Sequence, residues 1–131
     1  MAARILITIA TLFYGLAPLF ADLNATHVFH PEWTPHARFH MVWLLGTNSW
    51  IAILSLYLLW ARSQVVLSAV LGVCVMLGFW SAVLTRATYG GALNDVGGIA
   101  TTILGVEANS LAFSFVLILL IAGLLLGRNR S

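Results

Sequence analysis

The chain contains no lysine, one cysteine and three prolines, and only 8% of its 131 residues carry a formal charge. Six scattered arginines form no basic face, which excludes nucleic acid as a partner. The lone cysteine, Cys74, lies in an apolar run, so an intrachain disulfide is excluded and the residue reads as packing. So little charge cannot cover a water-exposed globule. A mean hydropathy of +1.00 with 61% hydrophobic residues makes the chain an integral membrane protein, with the lipid bilayer as its first partner.

What is present is four long apolar stretches: Ile5 to Ala21, Met41 to Ala61, Ser63 to Thr85 and Ala108 to Gly127. Each approaches the roughly 20 residues that cross about 30 Å of hydrocarbon as a helix. They are too long and continuous for barrel strands. The expected fold is an all-α, integral membrane four-helix bundle in one domain over 1–131. Its helices span about 5–22, 35–61, 63–86 and either 98–127 or 107–127. The first stretch also has signal-peptide features, with Arg4 ahead of an apolar core. Leu19-Phe20-Ala21 is a poor cleavage site, so a retained helix is expected, kinked or ended by Pro18 near Asp22.

Arg4, Arg62, Arg128 and Arg130 fall at one end of the bundle and Arg38 and Arg86 at the other, which predicts both termini on the cytoplasmic side. Short loops and a minimal chain suit a bacterial inner membrane. All four acids (Asp22, Glu32, Asp95, Glu107) and all four histidines (His27, His30, His36, His40) belong to the non-cytoplasmic half or its edge. Two connections build that end. Asp22 to Thr34 mixes polar, aromatic and turn residues and ends in Thr34-Pro35, a helix cap followed by a first helical residue. Tyr89 to Gly98 carries four glycines that permit left-handed backbone. The apolar stretch after it either belongs to the fourth helix or is a short interfacial or re-entrant segment.

At 100° per residue, His36, His40, Trp43, Thr47, Trp50 and Leu54 fall within about 80° of arc on the second helix. Polar side chains in membrane helices generally face protein or water, so this stripe is expected to line a cavity open at the non-cytoplasmic end, with Trp33 and Asn24 at its mouth. Interfacial anchoring by Trp and His is the simpler alternative. His36 and His40 as bases, Glu107 and Asp22 as acid partners, and Arg38 as charge stabiliser would then form an acid/base cluster. Such a cluster suits isomerisation, hydration or epoxide opening in a lipophilic small molecule. Glu107 reads equally as an acid in the first turn of the fourth helix, placed there by the helix dipole. Arg38 and Arg86 read equally as ion-pair partners. Asn48, Ser49, Ser110 and Ser114 are expected to bond between helices.

The four histidines also admit a metal site. His36 and His40 have the i, i+4 spacing that presents two imidazoles to one ion, and His27 and His30 can approach from the loop. Two or three of them with Glu32, Asp22 or Glu107 suit a single Zn, Cu or Fe ion, although the acid/base reading requires no cofactor. Alternatively the imidazoles cap helix ends and bond to carbonyls. A further class is a non-catalytic accessory subunit, whose apolar faces pack on a larger membrane complex or on copies of itself.

The segment NATHVFHPEWTPHARFH, Asn24 to His40, resembles the first loop of an uncharacterised group of small bacterial four-helix membrane proteins. In that group an N-x-T-H-x-F-x-P-x-W-x-P-H-x-R-F-H pattern recurs. The resemblance covers the first third of the chain. It implies a four-helix fold and joint action of Asn24, His27, Trp33, His36, Arg38 and His40, and supplies no activity. The sterol-isomerase-like EXPERA proteins and the DoxX-like proteins share only size and helix count with the chain.

Overall fold

A computed structural model describes residues 1–94 and 102–128. A backbone in hydrocarbon must satisfy its own hydrogen bonds, and each apolar run does so by closing into a helix. The four are α1 (Ala2–Asp22), α2 (Pro35–Trp60), α3 (Val65–Tyr89) and α4 (Ala108–Arg128). All are long and apolar enough to cross a bilayer, which is the architecture of a multi-pass membrane protein. Around the bundle α1 packs on α2 and α4, and α3 packs on the same two helices. One diagonal is short, α1 to α3, and it holds α2 and α4 apart.

The helix ends follow local chemistry. Thr34 Oγ1 accepts a hydrogen bond from the Ala37 amide at 3.2 Å and Pro35 takes the first position of α2. α1 continues through Pro18 to Asp22. Gly90, at φ 70°, closes α3 in the left-handed conformation that the glycine-rich connection permits. The fourth helix takes the later of its two expected starts. Ahead of it β1 (Thr102–Ile103) and β2 (Val106–Glu107) pair antiparallel about a two-residue turn, Leu104-Gly105, with φ of 53° and 78°. Left-handed backbone at both turn residues matches the twist of a tight hairpin and is incompatible with a helix running back toward Gly98. The remainder of that segment and Asp95 lie outside the described residues.

The core contains Ile7, Ala10 and Tyr14 of α1, Ala52 and Leu59 of α2, Ala69 and Met76 of α3, and Val116 and Leu120 of α4. Lipid tails are as apolar as these side chains, so helices associate through close packing and interhelical hydrogen bonds. Both devices are present. Gly15 lies so close to Ala52 that a side chain there would overlap the Ala52 Cβ, which fixes the approach of α1 to α2. Ser49 Oγ shares its proton between the Gly15 carbonyl across the same interface, at 3.1 Å, and the Leu45 carbonyl of its own helix, at 3.0 Å. Between α2 and α3 the fully buried Ser55 and Ser68 hydroxyls lie 2.7 Å apart. Each also reaches the other's carbonyl, at 3.1 and 3.0 Å. The expectation of interhelical bonding therefore holds for Ser49 only. Ser114 donates to Ser110 of its own helix at 2.6 Å, and Asn48 makes no hydrogen bond among the described residues.

At the α2–α3 turn, Arg4 donates to Ser63 Oγ at 2.9 Å and lies over the Trp60 ring, 5.6 Å from its centroid. Trp60 Nε1 in turn donates to Thr8 Oγ1 at 3.0 Å. The start of α1 and this turn are thereby held at one end of the bundle, as the placement of the arginines requires.

The serine pair generates a stability prediction. Ser55→Ala and Ser68→Ala should each destabilise the detergent-solubilised protein by about 1 kcal/mol, within the range for hydrogen bonds between membrane helices. In a double-mutant cycle read by denaturant unfolding, the two losses should be strongly non-additive. Additive losses would mean that the hydroxyls do not depend on one another.

Candidate functional site

The stripe on α2 lies on the outside of the bundle, opposite to the sequence expectation. Trp43 is 61% exposed, Trp50 71% and Leu54 47%, and His36, His40 and Thr47 are exposed as well. The buried positions of α2 are Leu45, Ala52, Ser55 and Leu59. Leu45 and Ala52 each stand two residues beyond an exposed tryptophan, a rotation of about 200°. The reason is steric. The α1–α2 approach at Gly15 and Ala52 admits no indole, so the small and aliphatic face turns inward and the aromatic face turns out.

Along that outer face Trp43, Gly46, Thr47, Trp50, Ile51 and Leu54 line an open groove of about 520 Å³. Above it, His36 and His40 bring their Nε2 atoms to 3.0 Å with rings nearly perpendicular at 89°. One Nε2 carries a proton and donates it while the other accepts. His40 stacks on Trp43 at a centroid distance of 5.8 Å, which joins the imidazole pair to the groove. A smaller cleft of about 90 Å³ lies beside Arg86, Tyr89 and Leu93.

The remaining expected residues form separate local sets. Asn24 Nδ2 donates to the Ala21 carbonyl, and Asn24 Oδ1 accepts from the amide and hydroxyl of Thr26. With the Thr26 proton so used, Thr26 Oγ1 accepts from His27 Nδ1 at 2.8 Å. That leaves His27 Nε2 facing Asp22 Oδ1 at 3.7 Å. Asp22, Asn24 and His27 thus end α1 and shape the loop. Trp33 packs edge-on to His27 and tilted against His30, and Val28 of the same loop is only 5% exposed. Arg38 donates from Nη2 to the His30 carbonyl at 2.8 Å and more weakly to that of Pro31 at 3.4 Å, and its Nε is buried without a partner. It clips the loop onto α2.

Glu107 belongs to the α3–α4 side. It lies 3.5 Å from Arg86 Nη1, accepts from Asn94 Nδ2 at 3.4 Å, and precedes the first residue of α4. Arg86 is therefore an ion-pair partner, as its simpler reading had it. Because α2 and α4 occupy the long diagonal, Glu107 does not join the imidazoles. Among the described residues no hydrogen bond or ion pair links Glu107 or Asp22 to His36 or His40. The expected His/carboxylate cluster is thus divided. The larger metal set is likewise not assembled, since no three His, Cys, Asp or Glu side chains among the described residues converge on one point. Of the residues named together from the first-loop pattern, His36 meets His40 and His27 meets Trp33, as two separate contacts. Gly46 and Ile51 of the groove escaped the sequence reading, although Gly46 sits on the same helical face as the stripe.

Fold and site together define a small four-helix membrane protein with one polar and aromatic outer face. Over residues 6–130 the sequence matches the model of a family of unknown function, DUF6640, and the chain belongs to that family. Neither the curated proteins nor the solved structures provide a match.

The Arg38 clip can be tested directly. Arg38→Ala should speed amide hydrogen exchange across residues 27–34 while leaving protection of the four helices unchanged, as read by exchange mass spectrometry. Equal protection in both proteins would show that the loop holds its shape without the guanidinium.

Proposed function

We propose that this protein binds a lipophilic small molecule, drawn from the bilayer, in the groove on the outer face of α2. The ligand's polar end meets the His36–His40 pair. One observation carries this reading: the imidazole pair and the groove share a single helical stripe and are joined by the His40–Trp43 stack. The groove is shallow and open along a single helix, with mostly apolar walls and few polar groups, so a ligand there would lie between α2 and the lipid. The imidazoles suit acid/base work, one accepting a proton while its neighbour donates. Isomerisation, hydration or epoxide opening are reactions of that class. Glu107, Asp22 and Arg38 are absent from this site because their own local partners hold them elsewhere.

Gly46 offers a clean test. A Cβ there would meet nothing within 4 Å, so Gly46→Leu fills the groove without disturbing the core. Native mass spectrometry from mild detergent should show a lipophilic adduct on the wild-type chain. The Gly46→Leu variant should lose it and remain folded. A wild-type chain with no adduct, or an adduct that Gly46→Leu retains, would overturn the proposal. So would a stable second protein seated on the same face, which is the outcome an accessory subunit requires.

The reading also places the His-rich loop on the non-cytoplasmic side of a bacterial inner membrane, supported by the arginines Arg4, Arg62 and Arg128 at the opposite end. Expressed in a bacterial host, a fusion of green fluorescent protein to the C-terminus should fluoresce. A periplasmic phosphatase fused there should be inactive. The reverse pattern would invert the orientation.

A further inference from the structure

We infer that His36 and His40, the pair that the proposed groove ligand would meet with its polar end, also form a bidentate site for a divalent copper-class cation, which occupies the pair in place of the shared proton. The geometry is the main argument. An ion bound about 2.0–2.1 Å from each of two imidazole nitrogens holds those nitrogens about 2.9 Å apart at a right angle and about 3.4 Å apart at the tetrahedral angle. The observed Nε2 to Nε2 separation is 3.0 Å. That distance is set by the hydrogen bond between the rings and lies close to the span that a shared ion would impose. Imidazole suits copper, and among the divalent first-row ions Cu(II) binds such nitrogen donors most tightly.

The surroundings fit the same assignment. The two residues are one turn apart on a helix whose first turn is set by the Thr34 cap and Pro35, so the donor spacing is built into rigid backbone. The His40 ring is seated against Trp43. Both imidazoles are exposed, which leaves the other coordination positions open to water. Arg38, the nearest cation in sequence, is turned away and held by the loop carbonyls of His30 and Pro31. Rotation of one imidazole about its Cβ–Cγ bond directs both lone pairs to a common point, and the ion takes the place of the shared proton.

The test uses the full chain in mild detergent, stripped with chelator, loaded with Cu(II) and desalted. Retained copper is read by elemental analysis and electron paramagnetic resonance. One Cu(II) per chain with a two-nitrogen signature is expected. His36→Ala and His40→Ala should each lower retention by about tenfold or more. The decisive variant is the exchange His40→Met with Met41→His, which keeps the composition and all four histidines but turns one donor about 100° around the helix. It should lose the ion, whereas His27→Ala with His30→Ala should keep it. Copper retained by the exchange variant, or none retained by the wild type, would overturn the assignment. Gly46→Leu should still hold copper, so failure of the metal site and failure of the groove reading are separately visible.

Discussion

A close approach of α1 to α2 sets the rotation of α2. Between helices surrounded by lipid there is no hydrophobic gain from burial, so contact depends on how near the backbones can come and on which hydroxyls bond across the gap. Gly15 against Ala52, and Ser55 against Ser68, supply those two terms on adjacent faces of α2. Once they are satisfied the helix has no freedom to rotate. Leu45, Ala52, Ser55 and Leu59 face in, and the stripe from His36 to Leu54 faces out. The outer groove is a consequence of small residues on the far side of the same helix.

That rotation also decides what the ionisable groups can do. Of the described acids, Asp22 faces His27 and Glu107 has Arg86 and Asn94, whereas the exposed Glu32 carboxylate makes no hydrogen bond or ion pair among the described residues. Arg38 is used in ordering the loop. With α2 and α4 on the long diagonal, acids at the start of α4 cannot serve imidazoles at the start of α2. His36 and His40 are left with each other, and an unaccompanied imidazole pair supports proton transfer or metal binding without a carboxylate.

Much of this architecture was legible in the sequence. Run lengths fixed four helices, Thr34-Pro35 fixed the start of α2, and the later of two starts for α4 proved right. The side of α2 that faces the core was not legible from polarity. The rule that polar groups turn inward weighs one stripe in isolation, whereas packing weighs it against the opposite stripe. Leu45, Ala52 and Leu59, seven residues apart, with Ser55 between, were the better signal because their bulk is small where α1 comes close. The Ser55–Ser68 pair escaped notice because nothing in sequence distinguishes two serines that meet from two that bond to their own helices, as Ser114 does. Convergence of the His and acid residues depended on helix order around the ring, which apolar runs alone do not encode.

Interfacial anchoring remains the simplest account of aromatic residues on a membrane helix, and length tests it. The 26 residues of α2 rise about 39 Å against about 30 Å of hydrocarbon, so its first turns project into the headgroup region. His36 and His40 fit there, Trp43 fits at the boundary, and Trp60, bonded to Thr8, fits the opposite belt. Thr47 and Trp50 do not, because they fall near the middle of the helix, where an outward hydroxyl and indole meet only lipid tails. On the other helices the large outward side chains near mid-span include Leu77 on α3 and Phe115 and Ile118 on α4, with the Cys74 thiol also exposed on α3. Anchoring therefore explains the ends of the stripe and leaves its centre unexplained. A ligand that runs from the imidazoles down past Trp43 to Trp50 explains both, since it gives the mid-membrane polar groups a partner that hydrocarbon does not provide.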